Sequence, residues 1–409
     1  MKKIELLSPA GNYDSLYAAI NSGADSIYFG VEQLNMRALS SNFLIKDIKK
    51  ISNICNRFNI KKYITLNTII YDNDILLVKK ILNYSKLYNI DGVIAMDNFV
   101  IRYANKLKIP VHISTQLNIT NLETLKFYSK YSDIIVLSRE LNLNQIKFIC
   151  DSIKKNKIKG RFNKLIKIEM FAHGSLCMAI SGKCYLSLHS DNSSANRGAC
   201  KQNCRREYTV KDYNNNSYKI ENKYIMSSKD LSTINFLDKI INTGISILKI
   251  EGRGKSPEYV SVVTKCYKEA IESIYNNNYT YNKIKKWEKE IKKVYNRGFW
   301  SGYYLGKNIG EWTNKSGSSS LYKKIYIGIV KNYLDKKSIM IVLINSYDIK
   351  INDYIYIIGN KIGVKIMKIK ELYNEKKNKV NIIKNGNICT IKTNFRVYKY
   401  NKIYKVIKN

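Results

Sequence analysis

The sequence predicts an α/β fold: a (β/α)8, TIM-like barrel with a cysteine-rich insertion between strands seven and eight, followed by a small C-terminal β-barrel. Three observations carry this. Eight short β-rich runs alternate with amphipathic helical patterns from residue 4 onwards. Four of the eight cysteines fall within one stretch, residues 177–204. Beyond residue 324 the helical period gives way to short alternating runs.

The predicted strands are Ile4–Ser8, Ser26–Gly30, Tyr63–Asn67, Gly92–Met96, Val111–Ser114, Ile134–Leu137, Leu165–Phe171 and Ser246–Ile250. In the second unit Leu44, Ile48, Ile51, Cys55 and Phe58 recur at helical spacing and predict one buried stripe. In the seventh, Ser227 and Asp230 resemble a capping box ahead of Leu231. The eighth helix opens with Ser256 as N-cap and Pro257 behind it, then turns Val260, Val263, Tyr267, Ala270 and Ile274 inward. Eight βα units in series favour a closed barrel over a doubly wound open sheet. Strands seven and eight stand about 75 residues apart, and that gap places the cysteines on the C-terminal face, where such barrels carry their chemistry.

A helix and the segment RGFWSGYYLG (297–306) complete a barrel domain of residues 1–312, with the insertion at about 172–224. The stretch NKSGSSS lies within a linker at 313–324. The runs IYIGIV, SIMIVLI, DYIYIIG, KIGVKIMKI, KVNIIK and FRVYKY then predict the strands of a domain at 325–409. The Asn- and Lys-rich stretch from Asp212 to Lys223 reads as an exposed loop.

No run of 18 apolar residues occurs, so no membrane span is expected. The N-terminal apolar run stops at Ser8 and Pro9, too early for a signal peptide, so a cytoplasmic location is expected. In a reducing compartment eight cysteines argue for metal binding or core packing, not disulfides. The net charge is +38, yet of 70 basic residues only 11 are arginine. Abundant Lys, Asn, Ile and Tyr are the mark of AT-rich coding, which accounts for part of the charge. The field still attracts polyanions and suits a nucleic-acid substrate. Against that bias a retained arginine points to a need for its planar fork. Arg37, Arg139, Arg197, Arg205, Arg206, Arg253 and Arg297 sit in loop-like or Gly-, Cys- and acid-rich contexts; Arg57, Arg102, Arg161 and Arg396 read as surface positions.

Cys177, Cys184, Cys200 and Cys204 are separated by six, fifteen and three residues. Four thiolates suit a tetrahedral zinc or a four-iron cluster, and the wide first spacing favours iron–sulfur. Cys55, Cys150, Cys266 and Cys389 are scattered and read as core. Polar residues at the predicted strand ends are Ser8, Asn67, Asp97, Gln116, Ser138, Arg139, Glu140, His173, Glu251 and Arg253. Arg139 with Arg253 would form a clamp for a small anion. Hydrolytic motifs are absent: there is no Gly-x-Ser-x-Gly elbow and no His-Glu-x-x-His helix, and His112, His173 and His189 are the only histidines.

The stretches EMFAHGSLC (169–177) and GKCYLS (182–187) resemble the signature of the collagenase-like peptidase family of unknown catalytic type. The resemblance continues in order through ELLSPAG, GADSIYFGVEQLNMRA, LSREL, MSSKDL, LKIEGR and GYYLG. It implies a barrel whose four cysteines hold a [4Fe-4S] cluster, and an oxygen-independent hydroxylase acting on RNA. The cysteine spacing resembles the branch that makes 5-hydroxyuridine at the tRNA wobble position with prephenate as co-substrate. Arg139, Glu140, His173, Glu251 and Arg253 are then the catalytic candidates, the tRNA anticodon loop the partner, and a paralogous subunit a possible second one. The rivals are an endopeptidase, after the family name, and a non-catalytic RNA-binding subunit. The insert after Tyr208 is short and the chain unusually lysine-rich, which leaves the RNA substrate open.

Overall fold

The computed structural model of the chain describes residues 3–218, 222–306 and 309–409. Eight parallel strands close on themselves: β1 (Glu5–Ala10), β2 (Ser26–Gly30), β3 (Lys61–Leu66), β4 (Gly92–Ala95), β5 (Val111–Ile113), β6 (Ile134–Val136), β7 (Lys167–Gly174) and the eighth barrel strand, Ile247–Ile250. Each pairs with the next, and the eighth closes the ring with Ile247 opposite both Glu169 and Glu5. The (β/α)8 barrel expected from the sequence is therefore present, each strand within about three residues of its predicted ends.

Local chemistry sets the helix ends. The side chains of Asn12, Asp97 and Asn121 accept from backbone N–H groups of their first turns, and Asn142 with Gln145 forms a capping box. The second unit's helix runs only from Asp47 to Arg57, burying Ile48, Ile51 and Cys55, while Leu44 and Phe58 lie outside it and are exposed. The last barrel helix, Pro257–Tyr275, starts as predicted and buries Val260, Val263, Tyr267 and Ala270, with Ile274 partly covered. Cys55, Cys150, Cys266 and Cys389 are all buried, and burial pushes each thiol up to about 12.

Two expectations need correction. Asp230 does not cap a helix: Asp230–Ser232 is a short strand antiparallel to the overlong end of β7, with Leu231 opposite Gly174. The other edge of this strand pairs with Phe299–Trp300, so both flanks are held by sheet bonds, and the unit's helix begins only at Leu237. In the C-terminal region the segment 395–400 is not a strand. Tyr400 takes a left-handed φ of +69° and the Asn401 side chain accepts from Tyr398 N–H, which ends the extension. Ile388–Lys392 and Lys402–Lys408 supply the strands instead, within an eight-stranded antiparallel sheet around a separate apolar core.

The predicted linker is bonded back to the barrel: Thr313 N–H donates to Ser227 O and Ser319 N–H to Asn296 O, and the first strand of the sheet starts at Tyr322. The sheet packs beside the first and last barrel helices, where Asn21 donates to Ile362 O at 2.9 Å and Lys324 pairs with Glu258 at 2.7 Å. The predicted loop from Asp212 to Lys223 lies partly outside the described residues; within them Val210–Lys211 and Ser217–Tyr218 form a short hairpin. Among the described residues no helix is long and apolar enough to cross a membrane.

Inside the barrel the usual branched apolar filling is partly replaced by charge. Glu169 on β7 meets His112 Nδ1 on β5 at 3.0 Å and Lys249 Nζ on the eighth strand at 2.7 Å. The Lys249 ammonium also lies 4.7 Å from the Tyr28 ring centroid. Burial raises the Glu169 carboxyl, but Lys249 and the His112 hydrogen bond outweigh it and hold the group at about 2. Its contribution to stability is therefore complete above its ordinary value of 4.5 and fades as pH falls towards 2. Lys249→Met, which strands the carboxylate, should cost about 3–5 kcal/mol in urea unfolding. Adding Glu169→Leu should recover part of that loss.

Candidate active site at the barrel mouth

The end of the eighth strand organises the mouth. The Glu251 carboxylate receives Arg37 Nη2 at 2.5 Å from the loop after β2, and Ser175 N–H at 3.3 Å from the start of the cysteine insertion. Its backbone carbonyl accepts from the Tyr259 hydroxyl, and its N–H donates to His173 O. Burial raises the Glu251 carboxyl, but Arg37 and Lys255 outweigh it and hold it at about 2. Two residues on, Arg253 is buried, its Nη1 donating to Asn35 at 2.7 Å and to Thr65 at 3.0 Å. Gly30 makes room for it, since a Cβ there would collide with the guanidinium.

Beside Glu251 lie three groups that sequence reasoning did not assign to the site. Lys255 has no ion pair or hydrogen bond from its ammonium among the described residues; it sits 3.4 Å from the Tyr295 ring centroid. Burial brings it down to about 8, against the opposing pull of Asp230 and Glu251. Asp230 is 2% exposed; Oδ2 accepts from Arg297 N–H, and Oδ1, with no hydrogen bond, is ion-paired with Arg297 Nη1 at 3.6 Å. Burial pushes this carboxyl up. The Arg297 fork reaches Ser175 Oγ at 3.3 Å and Gln202 Oε1 at 3.2 Å. A carboxyl pushed up and an amine brought down in one cluster is the kind of pairing that marks a functional site. The sequence signals were faint: Arg297 stood out as a retained arginine, Lys255 only by following LKIEGR.

The cysteine insertion folds over this mouth. All four thiols are free, Cys177 and Cys200 exposed, Cys184 and Cys204 partly so. They share one field: burial raises the Cys204 thiol, and Cys177, Cys200 and Cys184 each add to that rise against Arg205. Backbone N–H groups of Leu186 and Gln202 donate to the sulfurs of Cys184 and Cys200, each at 3.4 Å. Among the described residues no three His, Cys, Asp or Glu side chains are gathered closely enough to hold a metal ion. Cys177, Cys184, Cys200 and Cys204 are the side chains of the insertion that could hold an iron–sulfur cluster. Gly198, at φ +81°, lets the insertion press on the loop after β2, where a Cβ would collide with Asn35 O. Arg197 pairs with Asp74 through two N–H groups, and Arg205 donates to Ser227 Oγ and to the carbonyls of Leu176 and Ser228, so both anchor the insertion. Arg206 is exposed.

The other candidates scatter. His173 is 1% exposed, enclosed by Tyr259, Tyr267 and Phe299, and burial brings it down to about 3. Arg139 lies over Phe171 and donates to Ser175 O, and Glu140 is exposed beside it. Arg139 and Arg253, the pair expected to clamp an anion, are both hydrogen-bonded to protein groups, and so is Arg297; Lys255 is the cation here with no ion pair or hydrogen bond from its side chain among the described residues. Lys255 should react with amine reagents along a pH curve centred near 8, read by peptide mass spectrometry. Glu251→Gln should move the midpoint lower, because a charge favouring the ammonium is removed.

Comparison with known proteins agrees with this architecture. Residues 11–314 match the model of peptidase family U32. A protein named Collagenase from Porphyromonas gingivalis is 49% identical over 370 residues, 90% of this chain and 89% of that one. An uncharacterized protease of Methanocaldococcus jannaschii is 38% identical over 410 residues, covering 99% of this chain and 98% of its own. The tRNA hydroxylation protein P1 of Bacillus subtilis is 29% identical over 419 residues, covering 99% of this chain and 95% of its own. With a match across three quarters of its length and relatives that align end to end, the chain belongs to peptidase family U32.

Proposed function

We propose that this protein is an RNA-modifying enzyme that hydroxylates a pyrimidine base: the wobble uridine of tRNA, to 5-hydroxyuridine, with a [4Fe-4S] cluster on Cys177, Cys184, Cys200 and Cys204 and prephenate as co-substrate. The observation that carries the reading is the mouth itself, where the insertion that bears the four cysteines is bonded through Ser175 to Glu251 and Arg297, beside a lysine with no ion pair among the described residues. The full-length similarity to a protein named for tRNA hydroxylation supports the reaction class. The net charge of +38 supports a polyanionic partner.

In this reading Lys255 and Arg297 bind and orient the anionic co-substrate, and Asp230, ion-paired with Arg297, fixes where that guanidinium lies. Glu251 and Arg37 keep the insertion seated. A bound cluster supplies electron transfer or a Lewis-acidic iron, which none of these side chains offers.

The peptidase reading rests on the names of other relatives. Peptide hydrolysis needs an activated nucleophile or water beside an oxyanion site. Among the described residues no histidine is hydrogen-bonded to a serine or cysteine: His112 meets Glu169 and His173 meets Tyr267.

Anaerobically purified protein should carry about four irons per chain. Cys200→Ala should lose them, and the buried Cys266→Ala should not. In cells lacking the gene, wild type should restore 5-hydroxyuridine derivatives in digested tRNA, measured by mass spectrometry, and Cys200→Ala should not. Casein cleavage by the purified protein, with tRNA nucleosides indifferent to both forms, would replace this reading with the peptidase. Binding to tRNA should weaken steeply as salt rises, with a log–log slope that counts phosphate contacts.

A further inference from the structure

We infer that the cavity between the ends of β3–β5 and the cysteine insertion seats a single unstacked pyrimidine, with the Gln116 carboxamide donating to a ring carbonyl. The inference rests on the RNA reading and names where the base goes. The cavity is about 290 Å³, at the small end of ligand pockets, which run to about 300–1,000 Å³. That suits one ring better than a dinucleotide. Its walls are Met36, Ile69 and Met96 on one side and Ser181 and Tyr185 on the other, with Gln116 among them.

The orientation of Gln116 follows from a backbone group. Met36 N–H can only donate, and it donates to Asn67 Oδ1 at 3.3 Å. Asn67 must then present its Nδ2, which donates to Gln116 Oε1 at 3.4 Å. The Ser114 hydroxyl donates to the same oxygen. Both lone pairs of Oε1 are filled from behind, so the two amide N–H groups are left for the cavity that Gln116 lines. Gln116 and Asn67 are each 8% exposed, so the relay is held within the fold and does not wave in solvent.

A fixed donor between thioether and aliphatic walls selects a neutral, flat ring with a carbonyl edge. Uracil carries two such carbonyls, while cytosine replaces one with an amino group that would face the Gln116 donors. A dicarboxylate is a poor fit, because Lys183 is the only charged residue lining the cavity. Tyr185 is 73% exposed at the lip and can stack on the entering base. Lys183 and Tyr185 flank Cys184, so a base seated here lies next to a predicted cluster ligand.

The test uses the reconstituted full chain and an anticodon stem-loop RNA with 5-bromouridine at the wobble position, which keeps both ring carbonyls. Irradiation should crosslink the base to Met36, Met96 or Tyr185, identified by peptide mass spectrometry. Gln116→Leu should bind the uridine stem-loop about tenfold more weakly, yet bind a stem-loop abasic at that position as wild type does. Crosslinks confined to other segments, with stem-loop affinity intact, would overturn the pocket and leave the RNA reading standing. Unchanged affinity in a folded Gln116→Leu would overturn the donor assignment. If the wild-type holoprotein binds neither stem-loop, both the pocket and the RNA reading fall.

Discussion

The mouth of this barrel depends on one buried carboxylate. Glu251, just past the eighth strand, bonds to two segments at once: the loop after β2 through Arg37, and the cysteine insertion through Ser175 N–H. A buried charge is tolerable only when it is paired and hydrogen-bonded. The ion pair and the insertion therefore hold each other in place. If the insertion lifts, Glu251 loses a donor; if Arg37 leaves, an uncompensated charge remains under the insertion. Gly198 lets the two segments touch and Arg205 ties the insertion to the strand ahead of Asp230. The insertion's own turns shape the cysteine loop, and the ion pair at the strand end seats it on the barrel.

The same logic runs down the barrel axis. Barrel interiors of this class usually close on branched apolar side chains, but here His112, Glu169 and Lys249 span three strands inside the ring. Such a network contributes little net stability compared with apolar packing, yet it strongly penalises any register in which the three do not meet. The charged layer acts as a register device beneath the site. Above it, Thr65 and Asn35 receive Arg253, which is why that arginine turns inward. Lys255, two residues further along, lies beyond the last paired position and is left with the Tyr295 ring. The difference between a structural cation and an available one is two residues of the turn that follows the strand.

Much of this was legible because burial imposes period. Eight strands with helices between them announced the barrel, and the AT-rich bias made each retained arginine worth following: Arg37, Arg197, Arg205 and Arg297 all prove to be tethers of the mouth or the insertion. What failed to show was set by pairing alone. Asp230–Ser232 is three residues long and owes its extension to β7 on one side and Phe299–Trp300 on the other. The final strand Lys402–Lys408 carries lysine at every third position, a spacing that does not read as a strand. FRVYKY alternates, but a left-handed Tyr400 prevents it from continuing. Lys255 is one lysine among 59, and only its burial beside Asp230 and Glu251, which no local pattern shows, distinguishes it. His173 sat in a motif and looked catalytic; three aromatic rings enclose it.

The mouth divides into two kinds of environment, and the division itself constrains the chemistry. On the side of the eighth strand, Lys255, Arg297 and Arg37 surround two carboxyls, a setting that rewards an anionic ligand able to replace Asp230 or Glu251 as counter-ion. On the side of β3–β5, Gln116 offers neutral donors between methionines, a setting that penalises an anion and rewards a ring. The cysteine insertion touches both: Ser175, at its start, is bonded to Glu251 and Arg297, while Tyr185, after its second cysteine, borders the neutral cavity. In the reaction proposed above the two regions would divide the work, the charged side taking the small anion and the Gln116 side the base.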